Sequence, residues 1–217
     1  VGGYSPAPFL EACRRQRGLV PVAALTTIES PCVIRAELEA IRSIGYRIVK
    51  VHPRLLGYEA TLPALNDIVG SCAETGLAVA LCTYPEYRST IEPEFARSMM
   101  AAALALHPEV PAIALHAGVL DAAPFARLIP DMAALLLDVS LCLPKYPEQV
   151  LRQIAAIALE HPHSVALGSD GPEWTYHQID VALANIASLV NESTLHSIAG
   201  EALFTWLGAV DPQLAPS

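Results

Sequence analysis

Six short apolar runs recur along this chain, and each is followed by a stretch with helical periodicity. The strand-like runs span 19–25, 46–52, 77–83, 112–116, 134–140 and 164–169. One strand and one helix together take ~30 residues, the size of a crossover unit. Ser30-Pro31 opens one helical pattern, with Ile34, Leu38 and Ile41 on one face and Gly45 at its stop. Thr61 opens another, with Leu65, Ile68, Val69 and Cys72 inward and Gly76 at its stop. Pro at the start and Gly just past the end is the asymmetry helices favour. Further patterns cover 92–106, 147–159, 176–189 and 193–207, and residues 5–17 read as a leading helix.

Regular alternation of this kind demands a parallel sheet. Parallel strands are buried on both faces, which accounts for 53% hydrophobic residues against only 16% charged ones. A membrane span would need ~20 consecutive apolar residues. The richest stretches, 99–106 and 132–143, are too short, and the second contains Asp138. A closed (β/α) barrel has eight strands in ~250 residues. The expectation is therefore a TIM-type α/β barrel forming one domain over 1–217, with about six units present and the missing units placed before Val1. Such an open sheet would expose an apolar edge, and pairing with another copy would cover it.

The net charge of −9 and the scattered Lys and Arg exclude a nucleic-acid partner. Five widely spaced cysteines (Cys13, Cys32, Cys72, Cys82, Cys142) show no zinc-finger or Cys-x-x-Cys spacing. They suit a reducing, cytoplasmic setting, and no signal-peptide pattern stands at the N-terminus.

Chemistry-bearing residues sit at the strand ends. Val165-Ala166-Leu167 runs into Gly168-Ser169-Asp170, Ala112 to Leu115 into His116, and Ile48-Val49 into Lys50-Val51-His52-Pro53-Arg54. A carboxylate closing an apolar strand is costly to bury uncompensated. Barrel active sites lie at this C-terminal end. Lys50 and His52, two apart, share a side of their strand. Cys82 closes the run 77–83.

Taken together, Lys50-Val51-His52-Pro53, Leu115-His116-Ala117-Gly118, Leu137-Asp138-Val139-Ser140 and Gly168-Ser169-Asp170-Gly171-Pro172 resemble the amidohydrolase superfamily. The match is to its amidohydrolase-2 branch of metal-dependent barrel hydrolases and decarboxylases. The resemblance implies strands four, six, seven and eight of that barrel, and Ile198 to Phe204 looks like its final helix. It implies a divalent metal, expected to be Zn2+, with His116 and Asp170 as ligands and Asp170 as the base that takes a proton from activated water. Two departures stand out. No His-x-His pair ends a first strand, since His161-Pro162-His163 precedes the last one. Cys82 occupies the fifth-strand position where the family has His, and it is either a third ligand, a nucleophile or a small buried hydrophobe.

The expected substrate is a small anionic molecule held by Lys50, His52 and Arg54, undergoing C–N or C–O hydrolysis or decarboxylation. Lys50 could instead pair with a carboxylate inside the barrel, be carboxylated between two metals, or form a Schiff base. A degenerate barrel that binds a ligand or partner without catalysis is the alternative reading. Cys82 and the missing His-x-His pair favour it.

Overall fold

The computed structural model of the chain describes residues 6–16, 18–141, 147–171 and 173–214. Val1, Ser5, Arg17, Cys142 and Pro172 lie outside the described residues. Six strands form one sheet: β1 (Ala23–Ala24), β2 (Ile48–Val51), β3 (Ala78–Cys82), β4 (Ala112–Leu115), β5 (Leu135–Asp138) and β6 (Val165–Ala166). Each falls inside its expected run. They pair in sequence order, and every pair is parallel. The sheet order ends at β1 and β6, so the barrel is not closed among the described residues.

The helices are α1 (Pro6–Arg14), α2 (Pro31–Ser43), α3 (Pro53–Leu56), α4 (Tyr58–Thr75), α5 (Pro93–Ala105), α6 (Ala123–Ala126), α7 (Glu148–Glu160), α8 (Tyr176–Ala187), α9 (Glu192–His196) and α10 (Ala202–Val210). Ser30 caps α2 by accepting a hydrogen bond from the Val33 N–H, and Pro31 fills the first turn. Ile34, Leu38 and Ile41 of α2 are buried as their spacing predicts. Burying each such side chain stabilises by about 1.5–3 kcal/mol. Gly76 ends α4 in the left-handed region, at φ 66°, where a Cβ would be unfavourable.

Alternation along the strands separates two cores. Val49, Val51, Val79, Leu81, Leu135 and Val165 face the helix layer. Ile48, Ala78, Ala80, Leu136 and Ala166 face the other way and pack against Ala202, Trp206 and Leu207 of α10. The C-terminal helix therefore lies across the concave face of the open sheet. Arg47, beside β2, pairs with Asp211 just past α10 at 2.8 Å.

Three expectations change in detail. The run 19–25 is a strand only at Ala23–Ala24, with the Leu25 N–H still donating to the Lys50 carbonyl at 3.0 Å; toward its start, Pro21 has no N–H to give a ladder. The helix expected from Thr61 starts at Tyr58 and carries Pro63 inside it. The single helix expected over 193–207 is broken by a π-turn at Ser197–Glu201, where Gly200 leaves helical geometry. That break redirects the chain, so α10 can reach the concave face. β6 is equally short because the Leu167 N–H turns to the Ile198 carbonyl, at 2.9 Å. Both sheet edges are thus only two residues long, which limits the exposed edge that the sequence suggests.

Candidate active site

The strand ends build a cleft of about 260 Å³ whose walls include Lys50, His116, Asp138, Ser140, Asp170 and Leu203. One of them is Asp138, the last residue of β5, which is buried. One carboxylate oxygen, Oδ1, accepts from the N–H groups of Ser140 and Gly168, both at 3.1 Å. Oδ2 accepts from the Ser140 hydroxyl at 2.7 Å and the His116 N–H at 3.3 Å. Burial pushes the Asp138 carboxyl up from the usual range, and these donors together with His116 oppose the shift. Both oxygens face backbone N–H groups, which can only donate, so the surroundings are built for the ionised carboxylate. A Cβ on Gly168 would sit 2.8 Å from Oδ1. Glycine is what lets β6 close on the carboxylate.

Asp138 also fixes His116. Ser140 Oγ lies 3.3 Å from His116 Nδ1. The hydroxyl has a single proton and gives it to Asp138, so it accepts from an Nδ1–H of the ring. The relay His116–Ser140–Asp138 therefore leaves the unprotonated nitrogen at Nε2. Burial lowers the His116 pKa, and the carboxylates of Asp138 and Asp170 oppose that shift. Burial thus favours the neutral ring.

Backbone strain collects beside it. His116, Ala117 and Val119 have φ of 65°, 42° and 69°, and Asp170 has 47°. Such conformations cost ~1–3 kcal/mol each outside glycine and tend to mark functional sites. For β-branched Val119 the conformation is a true outlier. Thr83 holds the turn in place: its hydroxyl donates to the Leu115 carbonyl at 2.6 Å and accepts from the Gly118 N–H at 2.7 Å.

Lys50 faces the concave side, level with Ala24 on β1 and Ala80 on β3. These small neighbours leave room around the ammonium. Among the described residues Lys50 makes no ion pair. It also lines a second cleft with His52. The His52 pKa is lowered to about 4, first by burial and then by the charges of Lys50 and Arg54. Arg54 is exposed and stacks its guanidinium on the Tyr84 ring, 4.5 Å from the centroid. Tyr84 in turn meets His116 edge-to-face at 6.2 Å. Asp170 is half-buried at the cleft wall, and among the described residues its carboxylate accepts no hydrogen bond.

Cys82 ends β3 and is 1% exposed. Burial pushes its thiol up, away from the thiolate that a ligand or nucleophile needs. Among the described residues no three His, Cys, Asp or Glu side chains gather to hold a metal ion. Cys82, His116 and Asp170 do not form such a group. The donors described here therefore do not fit a complete metal site, which takes at least three protein ligands. Sequence reasoning missed Asp138 as a site residue. The signal was present in Leu135-Leu136-Leu137-Asp138, a carboxylate closing an apolar strand, and the argument applied to Asp170 holds more strongly for Asp138.

A parallel α/β sheet with polar residues gathered at its C-terminal strand ends defines the class, a barrel-type enzyme fold. The family model described as amidohydrolase, of the amidohydrolase-2 type, matches residues 7–201, and the chain belongs to that family. Members of the family generally use divalent metals. Among solved structures, the chain is similar to an uncharacterized TIM-barrel protein, Bb4693, from Bordetella bronchiseptica. The TM-score is 0.72 at 15% identity, over 97% of this chain and 74% of that one. At that identity the likeness concerns the fold. No curated protein matches the sequence. No helix among the described residues is long and apolar enough to cross a membrane.

Proposed function

We propose that this protein hydrolyses a C–N or C–O bond of a small anionic molecule, or decarboxylates it, in the cleft beside Leu203. The observation that carries the reading is that Lys50, His116 and Asp170 line one cleft at the C-terminal strand ends. Lys50 holds the anionic group. Asp170 accepts the proton of a water attacking the scissile carbon and returns it to the leaving nitrogen or oxygen. In decarboxylation no water attacks: protonated Asp170 gives its proton to the carbon as the bond to CO2 breaks, and solvent water reprotonates it. His116, fixed in one tautomer by Ser140, orients the water through Nε2. Arg54 extends the positive rim, with the neutral His52 ring beside it. An imidazole and a carboxylate are fewer ligands than a zinc site takes, and these steps belong to the side chains alone.

The test is turnover of a panel of small carboxylate-bearing amides, esters, lactones and aromatic acids, with and without added Zn2+. Asp170→Asn should remove turnover while leaving ligand binding and the melting temperature intact. Turnover retained in that variant rules out Asp170 as the base. A second reading, ligand binding without catalysis, is favoured by one observation: Cys82, His116 and Asp170 do not gather. Lys50-dependent binding with no turnover under any condition would establish it.

A further inference from the structure

A second cavity of about 340 Å³ opens between the ends of β1 and β2 and the short helix α3, and its apolar walls have no part in the proposed reaction. Its walls are Leu25, Leu55 and Leu56, with Thr26, His52 and Lys50 as polar members beside Ala24. Lys50 lines this cavity and the active-site cleft alike. We infer that this cavity is a second arm of the binding site, taking the apolar tail of an amphipathic carboxylic acid whose acid group rests on Lys50. The inference builds on the reading that Lys50 holds the anionic group.

The wall chemistry carries the argument. Buried Leu25, half-buried Leu56 and exposed Leu55 beside one ammonium without an ion-pair partner among the described residues form an apolar slot with a cation among its walls. That arrangement fits an acid with a hydrocarbon or aryl tail, since a small hydrophilic anion would leave the leucine walls facing water. Ligand pockets show this pattern of apolar lining with few placed polar groups. The arm is also held in shape. Glu37 of α2 accepts from the Thr26 N–H at 2.9 Å, from the Thr26 hydroxyl at 2.6 Å and from the Thr27 N–H at 3.2 Å. This clip fixes the chain after β1, so the slot is preformed. On the far side, Pro53 starts α3 immediately after His52, which places Leu55 and Leu56 over the slot.

The experiment is calorimetric titration of the purified chain with acetate, butanoate, hexanoate and octanoate, with hexanol and hexylamine as controls. Affinity should rise about fourfold per added methylene, from ~0.8 kcal/mol each, until the slot is full. Hexanoate should bind more tightly than hexanol, and hexylamine should not bind. Lys50→Met should abolish the preference of acid over alcohol, while Lys50→Arg keeps it. Leu56→Gln should flatten the dependence on chain length and leave acetate unchanged. Melting temperatures close to that of the parent show that the variants fold, and Leu25→Asn repeats the second arm of the test independently. Acid binding with no chain-length dependence overturns the slot but leaves the Lys50 reading standing. Chain-length dependence that survives Lys50→Met overturns the placement of the acid group. Because every readout is equilibrium binding, loss of the hydrolase reading in the turnover assays is a separate result.

Discussion

Replacing Asp138 with Asn should both destabilise the protein and reverse the tautomer of His116. The amide oxygen can keep only one pair of donors. The better pair is the N–H groups of Ser140 and Gly168 at Oδ1, both at 3.1 Å. The new NH2 then faces the His116 N–H and the Ser140 hydroxyl, which sit 3.3 and 2.7 Å from Oδ2. The His116 N–H loses its acceptor, and an orphaned buried donor costs ~1–3 kcal/mol. The two retained bonds lose their charge assistance, ~1 kcal/mol each. Relief of the buried charge offsets part of this. A net loss of about 1–3 kcal/mol remains, or roughly 2–12 °C in melting temperature for a chain of this size. The chemical consequence is sharper. Ser140 would accept from the new NH2, which turns its own proton toward His116 Nδ1. The ring must then carry its proton on Nε2. Thermal melts measure the first effect, and nitrogen chemical shifts of a 15N-histidine-labelled sample measure the second. An Asn variant with unchanged melting and an unchanged His116 tautomer would refute the relay.

Gly168→Ala pushes a methyl to 2.8 Å from Asp138 Oδ1 and 3.2 Å from Ser140 Cβ; a loss of ~1–3 kcal/mol is expected from overpacking, together with a disturbed His116 resonance. For pH, His52 has a folded pKa of about 4 against ~6.5 unfolded. Its neutral form is the one the fold accepts, so its contribution is complete above pH ~6.5 and is lost as the pH falls through the window down to about 4. Because the residue is partly exposed, solvent screening reduces the effect to the order of 1–2 kcal/mol. Chemical denaturation at pH 7 and pH 4.5 should show this fall, and it should be smaller in His52→Asn; an equal fall in both proteins would remove His52 as its source.

The strand and helix order was legible in the sequence because it depends on local periodicity. Parallel strands buried on both faces read as apolar runs, and Ser30-Pro31 and Gly76 mark helix ends through local backbone chemistry. That Lys50, His116 and Asp170 stand at or just past the ends of apolar runs was equally legible, and alternation fixes the face of Lys50. By alternation His116 would join Ala112 and Ala114 on the helix side, and left-handed turns at His116 and Asp170 decide their placement instead. The sequence also carried the family motifs. Tertiary structure decided the rest. The carboxylate held most tightly by the fold is Asp138, because its four donors come from three different strand ends that only meet in space. The break at Gly200, and with it the placement of Trp206 over the concave sheet, rests on packing that no local pattern encodes. Cys82, His116 and Asp170 share one end of the sheet by sequence register, yet whether their side chains converge depends on how far a twisted sheet curves. That is a property of all six strands together.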